Sequence, residues 1–222
     1  MGGFATEFDA LPENFPVFPL SGALLLPHGR LPLNIFEPRY LAMTEDALAA
    51  GRLFGMVQPD PRGGAGEAGP ALFHIGCLGR LSSFSETEDG RYLITLTGVI
   101  RFAIRAELAG MRGYRRVAGD FTAYRADLDT LPAPAIATRR EAILAALRHY
   151  FTRRGIEANW DAITRLPEPM LVVSIAMACP FDVVEKQALL EAPGAEERAE
   201  TLLALLRMAD AGPEGSAGQM AS

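Results

Sequence analysis

Lysine is almost missing from this chain. Lys186 is the only one among 222 residues, although arginine brings the basic total to 21. That scarcity excludes chemistry. A phosphate-cradling P-loop needs a glycine-rich turn followed by Lys and then Ser or Thr, and Lys186 stands between Glu185 and Gln187. A Ser-Lys peptidase needs a lysine desolvated beside a serine, whereas Glu185 and Glu191 here read as holding Lys186 protonated. Cysteine is scarce as well. Cys77 and Cys179 lie far apart in apolar surroundings and read as two buried thiols of a reducing, cytoplasmic compartment. No apolar run approaches the ~18 residues of a membrane span. The first fifteen residues carry Glu7, Asp9 and Glu13 and no basic residue, unlike a secretory or transit signal. No Gly-x-Ser-x-Gly elbow surrounds a serine. In "HIGC" the strand spacing sends His74 and Cys77 to opposite faces, away from a shared metal or nucleophile site. No cofactor is indicated. The formal net charge of −6 argues against a dedicated nucleic-acid binder, which must neutralise phosphates.

What is present falls into two periods. From about residue 15 to 125 the pattern is strand-like. In "RYLITLTGVIRFAIR", Tyr92, Ile94, Leu96, Ile100, Phe102 and Ile104 share one face, and Gly98 marks a bend or bulge. Glu88-Asp89-Gly90 signals a tight turn that pairs this run with "LFHIGCLGRLSSF" as an antiparallel hairpin. Further strands are expected at 15–20, 31–36, 53–59 and 114–124. From about 126 to 210 the period is helical: Ile143, Leu144, Leu147, Tyr150 and Phe151 form one stripe. Residues 170–178 are apolar nearly all round, and Asp182 with Glu185 reads as a capping box. Residues 125–135, with Pro132 and Pro134, read as a linker. The resulting organisation is an N-terminal arm at 1–14, a β domain at 15–125, a helical domain at 126–210 and a disordered tail at 211–222.

One abrupt switch interrupts the β half. "LPLNIFEPRYLAM" runs as a strand to Phe36, then Glu37-Pro38-Arg39-Tyr40 opens a helix over about 38–50. Pro38 suits a first helical turn, where a missing N–H is harmless. Glu37 can offer its carboxylate to the free N–H groups. Glu37 and Arg39 are too close in sequence to be facing helix neighbours, so each is expected to reach something else.

The segment "FPVFPLSGALLLPHGRLPLNIFEPRYLAM", with its two Pro-Leu strands and its Phe36-Glu37-Pro38-Arg39-Tyr40 signature, resembles the opening of the N-terminal substrate-recognition domain of Lon-type ATP-dependent proteases. The resemblance continues through "FGMV" (54–57), "IGCLGRLSSF" (75–84), "DGRYLITLTGVIRF" (89–102), "FDVVEKQALLEA" and "RAETLLALL". It departs at Gly113-Tyr114-Arg115-Arg116, where the family usually has Pro-Tyr. It implies an α+β fold: a PUA-like six-stranded antiparallel or mixed β-barrel bearing one crossover helix, followed by an α-helical bundle. It also implies a non-catalytic module that binds unfolded or hydrophobic polypeptide, as an adaptor to or competitor of a separate ATP-dependent protease.

Two surfaces are candidates for that work. Leu24, Leu25 and Leu26 are consecutive in a loop. They either fold onto the barrel or form a partly exposed apolar ledge for unfolded chain, with Met56 or Met111 helping to line it. Arg101, Arg105, Arg112, Arg115 and Arg116 form a basic cluster near Glu107. It is a solvated sheet face, a docking patch for an acidic protein, or an RNA site of the kind PUA-like barrels provide. RNA binding, and a small-molecule or enzymatic role in an unrecognised pocket, are the rival readings.

Overall fold

The computed structural model describes residues 7–66, 69–129 and 137–208. The expected tail, and most of the expected linker, lie outside them. The chain forms two compact units: Met1–Leu131 with Val173–Glu191, and Pro132–Val172 with Ala192–Ser222. This differs from the chain-order division at 125/126, because residues 173–191 belong with the β-rich unit.

That unit contains β1 (Asn14–Pro19), β2 (Arg30–Ile35), α1 (Pro38–Ala49), β3 (Leu53–Val57), the short pair β4 (Ala65–Gly66) and β5 (Gly69–Pro70), β6 (Ile75–Glu86), β7 (Tyr92–Met111) and β8 (Tyr114–Asp120). The main sheet has the order β2-β7-β6-β3-β1-β8, and β7 also pairs with β8. That second pairing joins β7, β6, β3, β1 and β8 into a ring, with β2 alongside the first part of β7. β1 and β3 run parallel, as the α1 crossover between β2 and β3 permits, and the other pairs are antiparallel. The structure is thus the mixed six-stranded arrangement of an α+β fold.

The ring is filled by Phe15, Val17, Val57, Leu78, Ile100, Phe102, Val117 and Phe121. Phe15 meets Phe102 edge-on at 4.8 Å, a favoured aromatic geometry. Alternation along β7 buries Ile94, Leu96, Ile100 and Phe102. Gly98 is required by close approach: a Cβ there would lie 2.0 Å from the Leu26 carbonyl oxygen. The Gly98 N–H donates to the Gly29 carbonyl, and the His28 N–H donates to the Gly98 carbonyl. The β6–β7 register slips beside it, between Leu78 and Gly79, a bulge of the kind that bends a closing sheet.

α5 (Val183–Glu191) belongs to the same unit. Its capping box forms as the sequence predicts: Asp182 N–H donates to Glu185 Oε2 at 2.8 Å, and Glu185 N–H donates to Asp182 Oδ1 at 2.7 Å. Gln187 Nε2 donates to the Ile75 carbonyl and to Glu191, and Gln58 Nε2 donates to the Val183 carbonyl, tying α5 to the sheet. Lys186 is not paired with Glu185 or Glu191, contrary to the expectation from their proximity in sequence. Glu185 is committed to the cap and Glu191 to Gln187, while Lys186 is buried and donates to the Gly22 carbonyl. Desolvation pushes its pKa below the ordinary lysine value.

The second unit packs α2 (Ala137–Arg154) against α6 (Ala195–Met208), with α3 (Trp160–Arg165) and the start of α4 (Glu168–Ala178). Ile143, Leu147 and Tyr150 are buried, at the expected helical spacing. On α6 the buried stripe is Ala199, Leu202, Leu205 and Leu206. Asn159 caps α3 by accepting from the Ala162 N–H at 3.0 Å.

Candidate functional site

The β7–β8 hairpin and α1 build a cavity of about 170 Å³ in the β-rich unit. The hairpin turns in two residues: Met111 pairs with Tyr114, and Arg112 and Gly113 have φ of 47° and 87°. Positive φ at both central positions is the geometry that matches strand twist, and glycine supplies it easily at the second. The turn sets Met111 and Tyr114 side by side at the cavity. Arg112 holds the less favourable left-handed position and is anchored by ion pairs to Glu45 and Asp46, both at 2.8 Å. From β1 come Phe15 and Pro16; from α1, Asp46 and Ala47; from β8, Tyr114 and Arg116.

The walls are mostly apolar, with one polar corner. There the Tyr114 hydroxyl donates to Asp46 Oδ2 at 2.8 Å, while Oδ1 accepts from Arg112. Burial, then the Asp46 carboxylate, push the Tyr114 pKa up to about 12. Asp46 is therefore already engaged, whereas Arg116 has no carboxylate partner among the described residues. The site suits an apolar side chain with an anionic group beside it. Among the described residues no group of three or more His, Cys, Asp or Glu side chains could hold a metal ion. No helix among them is long and apolar enough to cross a membrane.

The domain model of the ATP-dependent protease La (LON) substrate-binding domain matches residues 14–208. This chain belongs to that family. Among full-length relatives, Lon protease 1 of Thermus thermophilus is 26% identical over 202 residues, covering 89% of this chain and 25% of the relative. Lon protease 2 of Myxococcus xanthus is 22% identical over 203 residues, covering 88% and 24%. The chain thus spans about a quarter of the length of the Lon proteases it matches. The Lon N-terminal domain protein of Xanthomonas campestris shares the fold at TM-score 0.58 and 22% identity, covering 86% of this chain and 97% of that one. The N-terminal domain of the Mycobacterium avium complex Lon protease does so at 0.60 and 17%, covering 87% and 98%.

Within this Lon-type domain, the residues singled out from sequence part company. Leu24, Leu25 and Leu26 are fully buried, which removes them as an exposed ledge. Leu25 packs near Gly79 and Leu96, and the Leu26 carbonyl sits against Gly98, so the loop folds onto the sheet. Met56 is buried too, whereas Met111 is exposed and lines the cavity. Signature residue Pro38 takes the first helical position, as expected. Glu37 provides no side-chain cap; its carboxylate pairs with Arg39 at 2.8 Å. The expectation that the two reach elsewhere fails because Glu37 lies outside the helix, in extended conformation, and can fold back. Tyr40 is buried against Phe18 at 4.1 Å between ring centroids, while Phe36 is exposed.

The arginine cluster does not form one patch. Arg101 is only 4% exposed. It makes a two-pronged ion pair with Asp127, in the 3₁₀ segment Thr122–Leu128, and donates to the Leu190 carbonyl. Its guanidinium lies over the Tyr124 ring at 4.7 Å. Arg112 is committed to α1, and Arg115 to Glu107 and the Pro70 carbonyl. Arg105 and Arg116 are left. Period-two alternation places Arg101 outward of the ring, but it cannot foresee that a later segment covers that face. Asp46 was not singled out from sequence, and Tyr114 was noted only in the departure at Gly113-Tyr114-Arg115-Arg116, not as a site residue; the Arg112-Gly113 turn is a local signal that could have pointed to it.

Proposed function

We propose that this chain is a non-catalytic polypeptide-binding module. It captures unfolded or hydrophobic segments of cytoplasmic proteins, for delivery to or protection from a separate ATP-dependent protease. The observation that carries the reading is the match to a Lon substrate-binding domain over 14–208. The cavity beside Met111 supports it: it would take one apolar side chain, with Arg116 facing a neighbouring acidic group or carboxylate. The dispersal of the arginines into internal pairs argues against an RNA surface, which needs a contiguous run of unpaired cations.

Fluorescence anisotropy with a labelled, reduced and carboxymethylated lactalbumin tests the reading, its native form serving as control. Binding is expected for the unfolded probe alone. Met111→Asp and Arg116→Glu should each weaken it about five-fold or more without lowering Tm. Equal binding of both forms, or of neither, overturns the proposal.

A further inference from the structure

β6 is paired on both sides for only part of its length. On one side β7 accompanies it from Ile75 to Glu86. On the other, β3 pairs only from Cys77 to Arg80, and the last backbone contact there is the Leu81 N–H donating to the Arg52 carbonyl. Beyond Leu81 no β3 residue pairs with β6, whereas the pairing with β7, after a register slip at Ser82, continues through Ser83, Phe84, Ser85 and Glu86. Ser82–Glu86 is therefore an open strand edge among the described residues, and all five are exposed. Such an edge presents a row of unpaired N–H and C=O groups, about two or three residues' worth over five positions, which another strand can satisfy.

Open edges are ordinarily blunted by proline or by charge. β2, the outer strand beyond β7, carries Pro32 and opens with Arg30; a strand proline turns its N–H-less side to solvent, which removes a donor from that edge. The β6 stretch has no proline, no basic residue and a single charge, Glu86, at its end. The small serines leave room for any neighbour. Apolar contacts flank the edge on both sheet faces. Phe84, 41% exposed, lies edge-on to Tyr92 at 5.0 Å. Leu93, 46% exposed, is paired with Ser85 and so sits on the opposite face.

We infer that an extended segment of substrate polypeptide adds to this edge as a further strand. This rests on the polypeptide-binding reading and specifies its mode. Main-chain hydrogen bonding gives affinity without demanding a sequence, which fits a substrate defined by being unfolded. Phe84 and Leu93 favour segments whose alternate side chains are apolar.

Amide hydrogen exchange on the full chain, with and without saturating reduced and carboxymethylated lactalbumin, tests it. The expected result is about tenfold or greater slowing at alternate amides within 82–86, and several-fold weaker binding by Phe84→Ala at unchanged Tm. Binding without protection at 82–86 overturns strand addition and leaves the polypeptide-binding reading standing. Absence of any binding overturns both. Protection that appears without the probe and grows with protein concentration assigns the edge to a second copy of the chain and also overturns the inference.

Discussion

Strand β7 serves two different constructions. From Ala103 to Met111 it pairs with β8 and closes the ring. From Tyr92 to Thr97 it is the middle strand of a ribbon, between β2 and the distal half of β6. In the ring, strands have partners on both sides, and the inside is filled with aromatic and branched aliphatic residues. In the ribbon, Ile35, Ile94 and Leu96 are buried while Leu93 and Phe84 are exposed. A closed ring leaves no edge to template another strand, and a ribbon leaves two. The ring is thus built to stay as it is and the ribbon to accept a neighbour, although one continuous strand runs through both.

The largest effect should come from the ring's outer anchor. Arg101 and Asp127 are nearly dry, and the pair binds the strand to the following 3₁₀ segment and, through the Leu190 carbonyl, to α5. Removing one member strands the other without its counter-charge, which costs about 3–5 kcal/mol. Arg101→Ala should therefore lower the urea midpoint sharply. Arg101→Lys should recover only part of the loss, because a point charge cannot replace the fork. A loss below about 1 kcal/mol, the range of exposed pairs, would show that the ring does not depend on this anchor.

The alternation along β7 was legible from the sequence because Ile94 and Leu96 in the ribbon and Ile100 and Phe102 in the ring keep a strict period of two, and the helical stripe of Ile143, Leu147 and Tyr150 because it keeps a period near four. Gly98 and the 182–185 cap were legible from residue type at a fixed offset. The site was less so. Leu24–Leu26 have no period, so nothing in them says whether a loop is folded onto the sheet or stands free. The destination of Arg101 depends on Asp127 and α5, elements far along the chain. The open edge of β6 was hidden for a related reason: an edge is a property of where β3 stops, and no pattern within "SSFSE" records it.

At the cavity an intermediate effect is expected. Tyr114→Phe keeps the ring and removes a hydrogen bond to a charged carboxylate, worth about 1.5–3 kcal/mol. The pH dependence carries a distinct mark. The Tyr114 pKa in the folded protein, about 12, lies above its ordinary value of 10. Its contribution is fully present below pH 10 and is lost as pH rises toward 12, because the unfolded chain gives up that proton first. Denaturant melts at pH 8 and pH 11 should show the gap between wild type and Tyr114→Phe narrowing at the higher pH. A gap that stays constant or widens would place the hydroxyl's role outside its bond to Asp46.

The smallest effect separates ribbon from ring most directly. Leu93 and Ile94 are consecutive, with isomeric four-carbon side chains, and occupy opposite faces, one exposed and one buried. Leu93→Ser should change stability by no more than about 0.5 kcal/mol, as exposed substitutions do, whereas Ile94→Ala, at a site 3% exposed, should cost about 2–5 kcal/mol. Paired urea melts of the two variants measure this. If Leu93→Ser proved as damaging as its neighbour, that face of the ribbon would be supporting the fold, and the contrast between a stabilising ring and a receptive ribbon would have to be redrawn around a different boundary in β7. If it is silent in the melt yet weakens polypeptide capture, then the residue is retained on the surface for what it touches outside the chain.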